Sequence, residues 1–154
     1  MARRSFRFEP LLRYREQIVE LRQQELALEE RALQAQMGRL AQMRREVQLV
    51  ARRIGDWQQR TKLGCELIVS GLGHLEYLRG QEQVEQARLA EMRRRVERAR
   101  EALTRAMQEQ RTLERLKERH MAELHQEELR RESSILDEIG VIQYHRSTEG
   151  KEEG

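Results

Sequence analysis

Leucine, valine and isoleucine recur every seven residues along the first third of the chain, at Leu12, Val19, Leu26, Leu33, Leu40, Val47 and Ile54. An unbroken heptad repeat of this kind predicts an α-helix that winds in a left-handed supercoil against another helix. A second apolar line is weaker: Met37, Met43, Val50 and Trp57 fill it late, while Arg15, Arg22 and Glu29 hold it early. Pro10 fits the first turn, where its missing N–H would be unpaired anyway. The first helix is therefore expected over about residues 10–60, with Gly38 and Gly55 each costing it about 1 kcal/mol.

Residues 61–73 break the repeat. Gly64, Gly71 and Gly73, with Ser70 as a candidate N-cap, predict a turn. The segment is rich in apolar residues for a turn (Leu63, Leu67, Ile68, Val69, Leu72). It reads either as a tip folded on itself or as a surface offered to a partner. A second helical pattern starts at His74 with Leu75 and Leu78. Leu89, Met92, Val96, Ala99, Leu103, Ala106, Gln110 and Leu113 then alternate spacings of three and four. Leu116, Met121 and Leu124 continue it with a small phase shift. Gly140, after Ile135, Leu136 and Ile139, suits a C′ residue, so the second helix is expected to end near 139. Pairs such as Arg93 with Glu97, Glu101 with Arg105, Arg119 with Glu123 and Glu127 with Arg131 would each add about 0.3 kcal/mol to it.

The expected fold is all-α: two long helices in an antiparallel coiled-coil hairpin over residues 1–140, the second overhanging the first. The tail 141–154 is expected to be disordered. With the turn centred near residue 66, Leu12 faces His120, and Met121 to Gly140 overhang. An unpaired amphipathic helix end is a candidate docking site.

Composition narrows the function. The 154 residues are 37% charged and 4% aromatic, with one proline and one cysteine, Cys65. That excludes a β-sandwich, a barrel and a Rossmann-type fold, and it excludes an intramolecular disulfide. The net charge is +3, with basic excess concentrated in residues 1–15 and 93–119. The start Arg3-Arg4-Ser5-Phe6 has the look of a twin-arginine export signal. The stretch Leu11-Leu12-Arg13-Tyr14-Arg15-Glu16 lacks the uncharged hydrophobic region such a signal needs, so a cytoplasmic protein is expected. No glycine-rich phosphate loop occurs. His120 and His125 are five apart and do not share a helix face as metal ligands would. No enzyme, cofactor or metal is expected, because two helices form no cleft that excludes water. Nucleic acid is also not expected: Glu91, Glu97 and Glu101 interleave with Arg93-Arg94-Arg95, and no aromatic accompanies the arginines.

Several motifs, taken in order, resemble the FliJ family of flagellar export proteins. Phe6-Arg7-Phe8, Leu11-Leu12 and Arg15 are similar to the family's opening, and Leu75-Glu76-Tyr77-Leu78 to its second-helix start. The run Glu109-Gln110-Arg111-Thr112-Leu113-Glu114-Arg115-Leu116-Lys117-Glu118-Arg119 resembles the family's "R-K-x-L-E-K-L-K-E" stretch. Glu127-Glu128, Arg130-Arg131-Glu132 and Leu136-Asp137-Glu138 resemble its ending. Thr112 departs from the usual basic residue, and Ser133-Ser134 from a charged pair.

The resemblance implies a soluble component of the flagellar type III export apparatus, peripherally associated with the inner membrane through its partners. Those partners would be the export ATPase hexamer, the cytoplasmic domain of the export gate FlhA, the ATPase regulator FliH and export chaperones. Within the matching run, Arg111, Glu114, Lys117 and Glu118 are the expected partner-facing residues; the competing reading is a solvated face with internal ion pairs. Phe6 and Phe8 either cap the seam or anchor in a partner. Tyr77 and Leu78 belong either to the hairpin core or to a partner contact. A virulence-secretion stalk, a structural coiled coil and a nucleic-acid-binding coiled coil are the alternative readings.

Overall fold

A computed structural model of the chain describes residues 5–60 and 64–152. Two helices account for nearly all of them: α1, Glu9–Gln59, and α2, Cys65–Glu152. There is no strand among the described residues. α1 opens as its sequence dictates. Glu9 sits in the first turn, where a carboxylate opposes the positive end of the helix dipole, and Pro10 comes next. The Leu12 N–H donates to the Phe8 carbonyl at 2.9 Å. At the other end the Arg60 N–H is shared between the carbonyls of Asp56 and Trp57, at 3.3 and 3.2 Å, a common arrangement at helix termini.

The chain divides into two compact units. One unit comprises Met1–Gln17 with Met107–Gly154; the other is Ile18–Ala106. Within the second unit α1 and α2 pack antiparallel. Glu30 meets Arg100 at 3.6 Å, Gln36 meets Glu85, and Arg44 meets Glu82 at 3.0 Å, so rising numbers on α1 pair with falling numbers on α2. The seven-residue line forms the seam. Val19, Leu40 and Ile54 are buried here, and Leu26, Leu33 and Val47 half-buried. They face Leu75, Leu89, Val96 and Ala106 of α2, also buried. Gly71 lets the helices approach closely: a Cβ built there would lie 3.0 Å from Trp57 Cζ3 and 3.1 Å from Ile54 Cγ1.

The weaker line differs from expectation at one position. Gln36, not Met37, points into the interface; Gln36 is buried and Met37 exposed. Heptad spacing from Arg22 and Glu29 leads to Gln36, and then to Met43, Val50 and Trp57.

In the unit Met1–Gln17 with Met107–Gly154, the start of α1 lies against α2. Leu12 and Leu113 are buried. Arg15 pairs with Glu109, and Lys117 with Glu9 at 2.9 Å. Phe6, not Leu12, lies beside His120. α2 begins at Cys65, not at 74. Ser70, the expected N-cap, is inside the helix. Of the expected turn 61–73, residues 61–63 lie outside the described residues, and from Cys65 onward the segment is helical.

α2 also runs on past its expected end. It continues through Gly140 to Glu152, so the described part of the expected disordered tail, 141–152, is helical. Gly140 does not adopt the left-handed conformation of a C′ residue. Ser147 and Thr148 return their hydroxyls to carbonyls a turn back, Ser147 to Tyr144 at 2.8 Å and Thr148 to His145 at 2.9 Å. Polar side chains that would otherwise compete for the backbone are satisfied within the helix. None of the four expected (i, i+4) charge pairs forms. Glu85–Arg88, Glu91–Arg94 and Glu97–Arg100 form instead, each three residues apart with the acid N-terminal. That order agrees with the helix dipole.

These helix limits carry a direct test. A Cβ at Gly140 would meet nothing within 4 Å. Gly140→Ala is therefore expected to stabilise the end of α2 by up to about 1 kcal/mol, read as added helicity in circular dichroism and slower amide exchange over 136–146. A loss of helicity would mean that Gly140 ends the helix.

Candidate partner-binding surfaces

The run 109–119 is divided by the packing. The α2 seam keeps its three–four spacing past Leu113 and takes Lys117, His120 and Leu124, all half-buried. Leu116 and Met121, expected to carry the stripe, are exposed. Lys117 therefore points at α1, where its Nζ pairs with Glu9. Glu114 is half-buried and accepts a hydrogen bond from Gln110 Nε2 at 3.0 Å. Arg111 and Glu118 are exposed, seven residues apart and so on one helix face. They make no ion pair or side-chain hydrogen bond. Of the four residues singled out, Arg111 and Glu118 are available to a partner, while Lys117 and Glu114 have neighbours within the chain.

The two N-terminal phenylalanines also differ. Phe6 is buried and its ring lies 5.9 Å from that of His120; Phe8 is 44% exposed and meets Phe6 edge-on at 5.8 Å. Phe6 caps the seam. Phe8 stands at the surface with the Arg7 guanidinium 5.9 Å from its ring. Between this segment and α2 is a shallow cavity of about 720 Å³, lined by Ser5 to Phe8 and by Leu116, Arg119, His120 and Glu123. His120 Nε2 is buried and has no hydrogen-bond partner. A buried polar atom left so costs about 1–3 kcal/mol. Three–four spacing from Leu113 through Lys117 leads to His120, although an imidazole interrupts the apolar stripe there.

In the unit Ile18–Ala106, Leu78 is half-buried against α1, while Tyr77 is 62% exposed. The core reading holds for Leu78 only. Leu67, Val69 and Leu72 are exposed as well, leaving apolar surface on the first turns of α2.

Beyond Leu124 the large apolar side chains of α2 are exposed. Leu129, Ile135, Leu136, Ile139, Val141, Ile142 and Tyr144 are all exposed. Ile135, Ile139 and Ile142 have i, i+4, i+7 spacing and form one apolar face. The overhang expected over 121–140 extends to Glu152. Among the described residues no helix is long and apolar enough to cross a membrane.

The chain matches the family model described as "Flagellar FliJ protein" over residues 4–149. No curated protein and no solved structure gives a match.

Proposed function

The chain belongs to the FliJ family, a non-catalytic family related to flagellar protein export, and we propose that it acts as a binding component of the flagellar type III export apparatus. Its partners on this reading are the export ATPase hexamer and the cytoplasmic domain of the gate FlhA, with the regulator FliH and export chaperones as further contacts. It works in the cytoplasm, held at the membrane by those partners, and couples ATPase to gate. The observation that carries this reading is the near full-length family match. Supporting it is a helical hairpin with three kinds of exposed contact surface: charged at Arg111 and Glu118, apolar at Tyr77, and amphipathic along 124–152.

The physical logic is that of helix recognition. An exposed i, i+4, i+7 stripe such as Ile135, Ile139 and Ile142 gains its burial only when a second surface covers it. Exposed charges such as Arg111 and Glu118 steer encounter and set specificity more than they add affinity.

The test is capture of the purified chain by the export ATPase and by the gate's cytoplasmic domain. The pair Arg111→Ala with Glu118→Ala is expected to weaken capture about three- to tenfold, with helicity unchanged. Lys117→Ala is expected to loosen the start of α1 instead, seen as faster amide exchange over 9–15. Failure of both proteins to capture the wild-type chain would refute the proposed partners. Equal capture of the double variant would remove only Arg111 and Glu118.

A further inference from the structure

The segment Ser5–Phe8 precedes α1, yet it buries an aromatic ring. Phe6 covers the edge of the α2 seam at His120, the one place in the described residues where a buried side-chain nitrogen lacks a partner. The cover is therefore imperfect by its own chemistry: a phenyl ring offers an imidazole no hydrogen-bond acceptor of ordinary strength.

We propose that Phe6 is a displaceable cap over a docking site for an acidic peptide segment of a protein partner, one with an apolar anchor flanked by carboxylates. The lining of the cavity matches that chemistry. Phe8 and Leu116, each about two-fifths exposed, give an apolar floor beside Phe6. Arg7 and Arg119 stand on the lining, exposed and without ion pairs, against one acid, Glu123. Lys117 and Glu9 neutralise each other next to it. An incoming carboxylate accepts a hydrogen bond from His120 Nε2–H and meets the two guanidinium groups, while the anchor takes the place of the Phe6 ring. The orphaned nitrogen thus becomes the reason the exchange is favourable. Charged donors facing a carboxylate make the stronger class of hydrogen bond.

This site is independent of the export role, since a peptide titration succeeds or fails whatever the ATPase and gate captures show. The full chain is titrated with two hexapeptides. One has a phenylalanine–leucine centre flanked on each side by aspartate and glutamate; the other has lysine at the four acidic places. Binding is monitored by the NMR shift of the Leu116 backbone amide, which lines the cavity and is kept in every variant. The acidic peptide is expected to bind and move that signal, and the lysine peptide to do neither. Phe6→Ala removes the competitor and is expected to tighten binding about threefold, and His120→Leu to weaken it about fivefold. Should Phe6→Ala fray the start of α1, Arg119→Glu probes the same surface without touching the cap. It is expected to weaken the acidic peptide about fivefold and to admit the lysine peptide. Equal binding of the two peptides would overturn the proposal. So would a Phe6→Ala affinity that is unchanged or lower in a chain that keeps its fold, or indifference to both His120→Leu and Arg119→Glu.

Discussion

Leu40→Ala is expected to destabilise the unit Ile18–Ala106 by about 2–3 kcal/mol. Leu40 is 3% exposed at the middle of the heptad seam, and removing its branched end leaves a void that two helices cannot fully close. The figure falls in the lower part of the usual range for a buried leucine because only one partner helix covers the seam. No large side chain in the described core is completely enclosed. Ile54→Ala should behave alike, since Ile54 also packs on Gly71. The matched control is Ile139→Ala on the exposed face of α2, expected to change stability by less than about 0.5 kcal/mol. Amide exchange within residues 18–106 is the suitable readout. It measures the opening of that unit separately, whereas a single unfolding midpoint would blend two units. A Leu40→Ala effect no larger than the Ile139→Ala effect would mean that the heptad line is not the packed interface.

The contrast between Leu40 and Ile139 shows how far the residue pattern reaches. Seven apolar residues at constant spacing could satisfy a helix only by facing one partner, and every one of them, from Leu12 to Ile54, is buried or half-buried. The three–four run from Leu89 to Leu113 was legible for the same reason. Where polar residues enter the interface, hydrophobicity misdirects: it favoured Met37 over Gln36, and Leu116 and Met121 over Lys117 and His120. Spacing alone identifies the right positions there, because helical geometry continues whether or not the side chain is apolar.

Glycine misdirected the helix ends. Gly64, Gly71 and Gly73 carried turn chemistry in sequence, yet α2 is helical from Cys65. At Gly71 the absent Cβ serves close packing against Ile54 and Trp57 rather than a turn. Of the candidate contact residues, the separation of Arg111 and Glu118 from Lys117 and Glu114 comes from the three–four spacing, which carries the buried line from Leu113 to Lys117 and leaves Arg111 and Glu118 outside it. The orphaned His120 nitrogen could be found only once Phe6 was placed beside it.

The buried pair Gln36 and Glu85 gives the second large effect. Gln36 Nε2 donates to the Glu85 carboxylate and, at 3.2 Å, to the Glu85 carbonyl, while Arg88 Nη1 bonds the same carboxylate at 3.0 Å. Both Gln36 and Glu85 are at least nine-tenths buried, and the other described residues buried in their unit are all Leu, Val, Ile or Ala. Gln36→Leu removes a donor while the carboxylate stays desolvated, and is expected to cost about 1–3 kcal/mol. Arg88 keeps the loss below that of an unpaired buried charge. Adding Glu85→Leu replaces the whole polar pair by apolar packing, and the double variant is expected to equal or exceed the wild type in stability. The two substitutions are thus strongly non-additive, which a double-mutant cycle on amide exchange in residues 18–106 measures directly. The pair should instead be needed for alignment. Gln36 finds its acceptors only when it stands opposite Glu85, whereas leucines slide past one another at similar energy. Spin labels at exposed Arg31 and Arg95 are expected to give one narrow distance distribution in the wild type and a broader one in the double variant. A narrow distribution in both would show that the apolar seam fixes the register by itself, and simple additivity of the two substitutions would show that Gln36 and Glu85 do not act as a pair.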